Sequence, residues 1–200
     1  MTMKRRRKVG IICIAVVVLA ASLCAGTGIY VHQSSIHVVN QQRRFLDIKK
    51  EGLKKHGFDA DQLESQYHVS EVKITSTFDG HTIPANYLTV DGDRNRNTVI
   101  MAHGLNGNRL TGYPVASMFL RNGYNVLTYD QRDSGKSTAS YMTFGFWESK
   151  DFQDCVSYVR EGAGKKRIVG GWGSSIGGAT IGFYLGTAHG NGNLDFAVLD

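Results

Sequence analysis

The sequence predicts an α/β protein, a mostly parallel sheet with helices on both faces, preceded by one membrane-spanning helix. Three observations carry that expectation. Short apolar runs alternate with segments of helical spacing, the pattern that builds parallel sheets covered on both sides. A run without a charged residue extends from Val9 to Val31. Gly173-Ser174-Ser175-Ile176-Gly177 matches G-x-S-x-G, with a predicted strand before it and a predicted helix after it.

The chain opens on a basic tail, residues 1–8, that holds Lys4, Arg5, Arg6, Arg7 and Lys8. At about 1.5 Å per residue, a helix over 9–31 would measure about 34 Å, slightly more than the roughly 30 Å core of a bilayer. A buried helix of a soluble domain would interrupt such a run with polar positions at helical spacing, and this run does not. Lys and Arg stay on the cytoplasmic side, so everything after His32 is expected outside the cytoplasm. A cleaved signal peptide is the alternative, with Ala20-Ala21-Ser22 as its small-residue site. The run exceeds the usual apolar core of about 7–15 residues, and that site falls inside it, so a retained anchor is the expectation. Leu23 is bulky where a lipid-modified Cys24 would want a small neighbour.

The formal charge of +6 lies mostly in that tail, and the rest of the 23 basic residues nearly balances the 17 acidic ones. A nucleic-acid-binding surface therefore loses its main support. Hydrophobic residues make up 42% and charged residues 20% of 200, which excludes disorder and a collagen-like fibre. Cys13 and Cys24 fall in the apolar run. Cys155 stands alone in a predicted helix, with no internal disulfide open to it, and reads as core packing.

After the anchor, residues 32–70 read as a juxtamembrane helical segment and residues 71–200 as the main domain. Gln41–His56 is charge-rich and amphipathic, ended by Gly57; Asp59 can cap a second short helix. Glu71–Thr77 and Thr82–Val90 look like strands joined at Asp79-Gly80, the dipeptide of a tight hairpin. Thr98–Ala102 is a short apolar run of the kind buried on both faces of a sheet. A helix is expected over Tyr113–Asn122 and a strand over Tyr124–Tyr129. Gly145–Glu161 follows as a longer helix, with Phe146, Phe152, Val156 and Val159 near helical spacing. Arg167–Gly171, Ile176–Ala188 and Phe196–Leu199 complete the alternation as strand, helix and strand.

Ser175 is the candidate nucleophile. A serine on a sharp strand-to-helix turn has strained backbone angles, and Gly173 and Gly177 leave room where a side chain would strike the crossing chain. The helix amino terminus favours negative charge there, and the Ile176 N–H stands where an oxyanion would form. Two rival glycine motifs match less well, the P-loop being set aside and the dinucleotide turn kept as a weak alternative. Ser134-Gly135-Lys136-Ser137 ends like a P-loop but has Asp130 where that motif needs glycine. Gly171-Trp172-Gly173, with Asp195 downstream as a ribose-binding acid, has Ile176 where the dinucleotide fingerprint needs glycine.

His103-Gly104-Leu105 directly follows the Thr98–Ala102 strand, and at this point the sequence resembles the α/β-hydrolase superfamily over about residues 72–200. The resemblance implies that Leu105 gives a second oxyanion N–H and that His103 and Gly104 support that loop. Asp130-Gln131-Arg132-Asp133-Ser134-Gly135-Lys136-Ser137 is similar to the family loop D-x-R-G-x-G-x-S, with Asp133 where glycine is usual. Phe144-Gly145-Phe146-Trp147-Glu148 resembles membrane-anchored bacterial members, which include esterases, lysophospholipases and serine aminopeptidases.

In this superfamily the acid and then the histidine follow the serine along the chain. The one histidine after Ser175 is His189, about 20 Å away along the expected helix and unable to serve as base. Asp195 and Asp200 are followed by no histidine. The expectation is therefore a membrane-anchored, outward-facing serine hydrolase whose triad acid and base are missing from these 200 residues, which by themselves would be poorly stable and inactive. An ester, thioester or amide of a small molecule, lipid or peptide would form an acyl-enzyme on Ser175. No metal or organic cofactor is implied, and no nucleic-acid partner. The alternative is a membrane-anchored binding protein, or an inactive remnant, that keeps the fold without the chemistry.

Overall fold

The computed structural model describes residues 3–36, 45–164 and 166–200. The chain divides into two compact units, Met1–Val39 and Asn40–Asp200. The first is built on helix α1 (Met3–Ile36). Its stretch Gly10–Ser34 is long and apolar enough to cross a membrane, as an anchor or a signal sequence would be. Two hydroxyls there bond back along the helix, Thr27 Oγ1 to the Leu23 carbonyl and Ser34 Oγ to the Tyr30 carbonyl, each at 2.8 Å. That satisfies them without water.

The second unit begins with α2 (Leu46–Lys55) and α3 (Ala60–Gln66). The start expected for α2, Gln41–Arg44, lies outside the described residues. Asp59 caps α3 by accepting from the Asp61 and Gln62 N–H groups at 3.0 and 3.1 Å. Strands β1 (His68–Thr75) and β2 (Thr82–Thr89) pair antiparallel, from His68 opposite Thr89 to Thr75 opposite Thr82. Their connection is longer than a two-residue hairpin turn, because Ser76 N–H to His81 O at 2.9 Å closes a wider loop around Asp79-Gly80. Then follow β3 (Thr98–Ala102), α4 (Tyr113–Arg121), β4 (Asn125–Tyr129), α5 (Glu148–Ala163), β5 (Val169–Gly173), α6 (Ile176–Leu185) and β6 (Phe196–Leu199).

Several boundaries differ from expectation, β1 among them, which starts at His68 and ends at Thr75 instead of running from Glu71 to Thr77. Helix α5 starts at Glu148 because Phe144 and Gly145 have φ of 53° and 106°, which no right-handed helix accepts. Phe146 therefore sits outside the helix and is 57% exposed instead of in the core. Strand β5 runs two residues later than predicted. Helix α6 ends at Leu185, and Thr187 Oγ1 turns back to the Tyr184 carbonyl at 2.7 Å.

The sheet order is β1-β2-β4-β3-β5-β6. β1, β2 and β4 pair antiparallel, while β4, β3, β5 and β6 run parallel. Strand β3 shows why both faces need cover. Val99 and Met101 pack with Leu63 of α3 and Ala116 and Leu120 of α4. Ile100 and Ala102 belong to the opposite core with Phe152, Val156 and Val159 of α5 and Ile181 and Tyr184 of α6. From β3 the chain moves outward to β4, then returns to lay β5 on the other side of β3 before moving on to β6. The direction of winding thus reverses between β3 and β5. In open α/β sheets, ligands bind outside the carboxyl ends of the strands at such a reversal.

Candidate active site

The carboxyl ends of β3 and β5 deliver the two sequence motifs to one place. Ala102 pairs with Gly173, and the Ser174 N–H donates to the Ala102 carbonyl at 3.2 Å. Ser175 follows as an exposed residue with φ 53° and ψ −118°, a conformation that glycine adopts and other residues avoid. Its N–H donates to the Asp200 carbonyl at 2.8 Å, which pins the turn to the end of β6. The turn can be this sharp only with glycine on both sides. A Cβ on Gly173 would lie 2.4 Å from the Gly177 carbonyl oxygen, and one on Gly177 would lie 2.1 Å from the Ala102 oxygen.

The loop after β3 lies against this turn. A Cβ on Gly104 would be 3.4 Å from the Cβ of Ser175, so Gly104 touches the serine from the β3 side. Leu105, next along, is 44% exposed. Among the described residues the Leu105 and Ile176 N–H groups have no hydrogen-bond acceptor, and the Ser175 hydroxyl has no partner. The structure therefore brings Ser175, Ile176, Gly104, Gly173 and Gly177 together, with Leu105 beside them.

His103 is buried behind that loop. The Gln131 N–H donates to its Nε2 at 3.2 Å, so that nitrogen accepts and the ring proton sits on Nδ1, which donates to the Gly104 carbonyl at 2.8 Å. The ring faces the loop backbone and the Ser134 hydroxyl, 3.1 Å from Nε2. His189 is held at the far end of α6, its Nδ1 3.0 Å from the Tyr184 hydroxyl and its Nε2 3.4 Å from the Ser157 hydroxyl. Asp195 accepts from the Val169 N–H at 2.7 Å, at the start of β5 and thus at the opposite end of that strand from the serine.

The loop after β4 braces the site from below. Asp130 is fully buried and accepts from the Arg109 and Lys136 N–H groups at 2.8 and 2.9 Å. Burial raises its pKa, and those two N–H groups and the Arg109 guanidinium oppose the rise. Asp130→Asn is expected to cost about 1–3 kcal/mol, because an amide offers one acceptor where two buried donors need two. A lowered urea midpoint checks this; an unchanged one contradicts it. Asp133 sits at φ 50°, so the position usual for glycine in the resembled family does adopt a left-handed backbone here, which aspartate tolerates better than most residues. Arg132 bridges outward, Nη1 to Asp79 Oδ2 at 2.8 Å and Nη2 to Asp151 Oδ1 at 3.1 Å. Its hydrogen bond holds the Asp79 carboxyl well below the usual range, whereas burial pushes Asp151 up to about 6.

Sequence reasoning missed three polar anchors. Gln131 and Thr180 meet between the β4 loop and α6, Thr180 Oγ1 donating to Gln131 Oε1 at 3.0 Å. Glu148 accepts from the Thr143 N–H, the Thr143 hydroxyl and the Gly145 N–H at 2.7, 2.8 and 2.8 Å, fixing the strained Phe144-Gly145 turn. The sequence places the Phe144–Glu148 motif at the opening of a helix and gives no sign of this turn. For Gln131 no spacing signal existed.

The comparisons agree with this geometry. The family model described as alpha/beta hydrolase fold matches residues 97–193. An uncharacterized protein of Bacillus subtilis, YqkD, is 35% identical over 104 residues, which cover 52% of this chain and 34% of that protein. Thiohydrolase aneE of Aspergillus aculeatus is 32% identical over 108 residues, covering 47% of this chain and 34% of the relative. This chain thus spans about a third of the length of the curated relatives it matches. Among solved structures, the Pyrococcus furiosus esterase Pf2001 superposes with a TM-score of 0.55 at 27% identity, covering 66% of this chain and 52% of the esterase. By sheet order, by the turn between β5 and α6 and by these likenesses, the chain has the α/β-hydrolase fold.

Proposed function

We propose that this chain carries the nucleophile and oxyanion hole of a serine hydrolase acting on an acyl ester, thioester or amide. The observation that carries the proposal is the conformation of Ser175. A non-glycine residue held at φ 53° between two obligatory glycines, exposed where the sheet reverses its winding, is strain that packing alone has no use for. The hydroxyl would attack the acyl carbon. The carbonyl oxygen, gaining negative charge, would be received by the Leu105 and Ile176 N–H groups, each worth about 3 kcal/mol to the transition state. Collapse of the tetrahedral intermediate would expel the alcohol, thiol or amine and leave an acyl-enzyme that water hydrolyses.

His103 is occupied with its own loop and His189 with Tyr184 and Ser157, so neither is assigned as the general base. The esterase and thiohydrolase relatives support the carboxylic-acid-derivative class. With the basic tail cytoplasmic and residues 9–31 as a retained anchor, the hydrolase domain would face outward and meet small-molecule, lipid or peptide substrates there. A fluorophosphonate probe applied to the intact protein should leave one adduct, on the peptide containing Ser175. No adduct, or an adduct on another serine, would sink the assignment.

A further inference from the structure

Two backbone donors on separate segments make an oxyanion hole only if something fixes the spacing between them. Leu105 belongs to the loop after β3 and Ile176 to the first turn of α6, and the peptide between His103 and Gly104 lies where the two segments meet. Its carbonyl oxygen faces Gly177, since a Cβ there would approach it to 2.9 Å. One buried side chain reaches both segments. Gln131 donates from Nε2 to the His103 carbonyl, and its Oε1 accepts from Thr180 Oγ1 on α6 at 3.0 Å. Its own N–H also holds the His103 ring at Nε2. The Ile176 carbonyl, on the residue that carries the second donor, lies 2.9 Å from the same hydroxyl, whose one proton is shared between it and Gln131 Oε1. Gln131, Thr180 and His103 are all buried, so water cannot substitute for these bonds without entering the core.

We propose that Gln131 and Thr180 are positioning residues that set the separation of the Leu105 and Ile176 N–H groups, and so tune the oxyanion hole without touching substrate. This rests on the serine-hydrolase reading above. The amide suits the task, because one end must accept from a hydroxyl while the other donates to a carbonyl. Glutamate would face the His103 carbonyl with a second acceptor, and leucine would remove the bond to each neighbour. The effect belongs on kcat, since a misplaced donor weakens binding of the oxyanion more than binding of the neutral carbonyl.

The test uses the intact protein and a p-nitrophenyl ester, with Thr180→Val, Thr180→Ser, Gln131→Leu and Ser175→Ala measured side by side. Complete loss of one oxyanion donor costs about 100–1000-fold in kcat, so a displaced donor in Thr180→Val should cost about tenfold with KM little changed. Thr180→Ser keeps the hydroxyl and should restore kcat. Gln131→Leu should fall further, and the double variant with Thr180→Val should be no worse than Gln131→Leu alone. If Gln131→Leu does not fold, the valine and serine variants decide. Wild-type kcat in Thr180→Val, or a loss that serine does not restore, overturns the positioning role while leaving Ser175 in place. Turnover retained in Ser175→Ala instead removes the hydrolase reading on which it stands.

Discussion

Ser175→Gly is expected to produce a domain that is more stable than the parent and silent as a hydrolase. The two effects have separate causes. Serine at φ 53° and ψ −118° occupies a region in which its Cβ crowds the backbone, at a cost of about 1–3 kcal/mol. Glycine enters that region freely but gives up about 0.5–1 kcal/mol through the looser unfolded chain. The balance favours the variant by about 1 kcal/mol, a rise in Tm of about 2–4 °C for a domain of this size. Removing the proposed nucleophile meanwhile should lower turnover roughly a million-fold, the scale seen when a triad serine is deleted. Ser175→Ala separates the two effects, since alanine loses the hydroxyl but keeps the strained Cβ. It should be equally inactive and gain no stability. Calorimetry on both variants reads the outcome; a Tm for Ser175→Gly at or below that of Ser175→Ala would show that the turn is unstrained.

Gly177→Ala should do the reverse and cost the fold outright. The added methyl would lie 2.1 Å from the Ala102 oxygen and 2.6 Å from its carbon, both backbone atoms of the central strand. Neither can swing aside as a side-chain tip would. Relief requires β3 and α6 to part, which breaks the contact between the Gly104 loop and the serine turn. A loss of about 3 kcal/mol or more is expected, at the upper end for overpacking, with no turnover in the fraction that remains folded. Gly182→Ala is the control within the same helix. A Cβ at Gly182 meets nothing within 4 Å, so that change should stabilise α6 by about 0.5–1 kcal/mol. Equal melting temperatures for the two alanine variants would contradict the steric argument.

The legible parts of this fold are those in which one physical demand fixes several residues at once. Thr98–Ala102 and Phe196–Leu199 are found as predicted because an apolar run of strand length between turns has few other uses. The serine turn was equally plain, since Gly173 and Gly177 answer a steric requirement that spacing alone reveals. Boundaries went astray where long-range contacts decide them. The start of α5 depends on Glu148 binding Thr143 and Gly145, an arrangement that leaves Phe146 exposed despite its helical spacing. The β5 ladder is set by its neighbours, Thr98 opposite Val169 and Gly170 opposite Phe196. Gln131 and Thr180 were invisible because they are 49 positions apart and share no pattern.

The strand pairing also bears on when the site comes into being. Ala102 and Gly173, partners across the central ladder, are about seventy residues apart along the chain, and closing so long a loop is among the slower events of folding. The Ser175 turn further leans on the Asp200 carbonyl, which is in place only once β6 has docked on β5. Local pieces such as the β1–β2 hairpin can form early and alone, but nothing local holds the serine in its strained shape. The strained Ser175 turn therefore requires the paired sheet around it, and a chain whose β6 is undocked lacks the hydrogen bond that pins it.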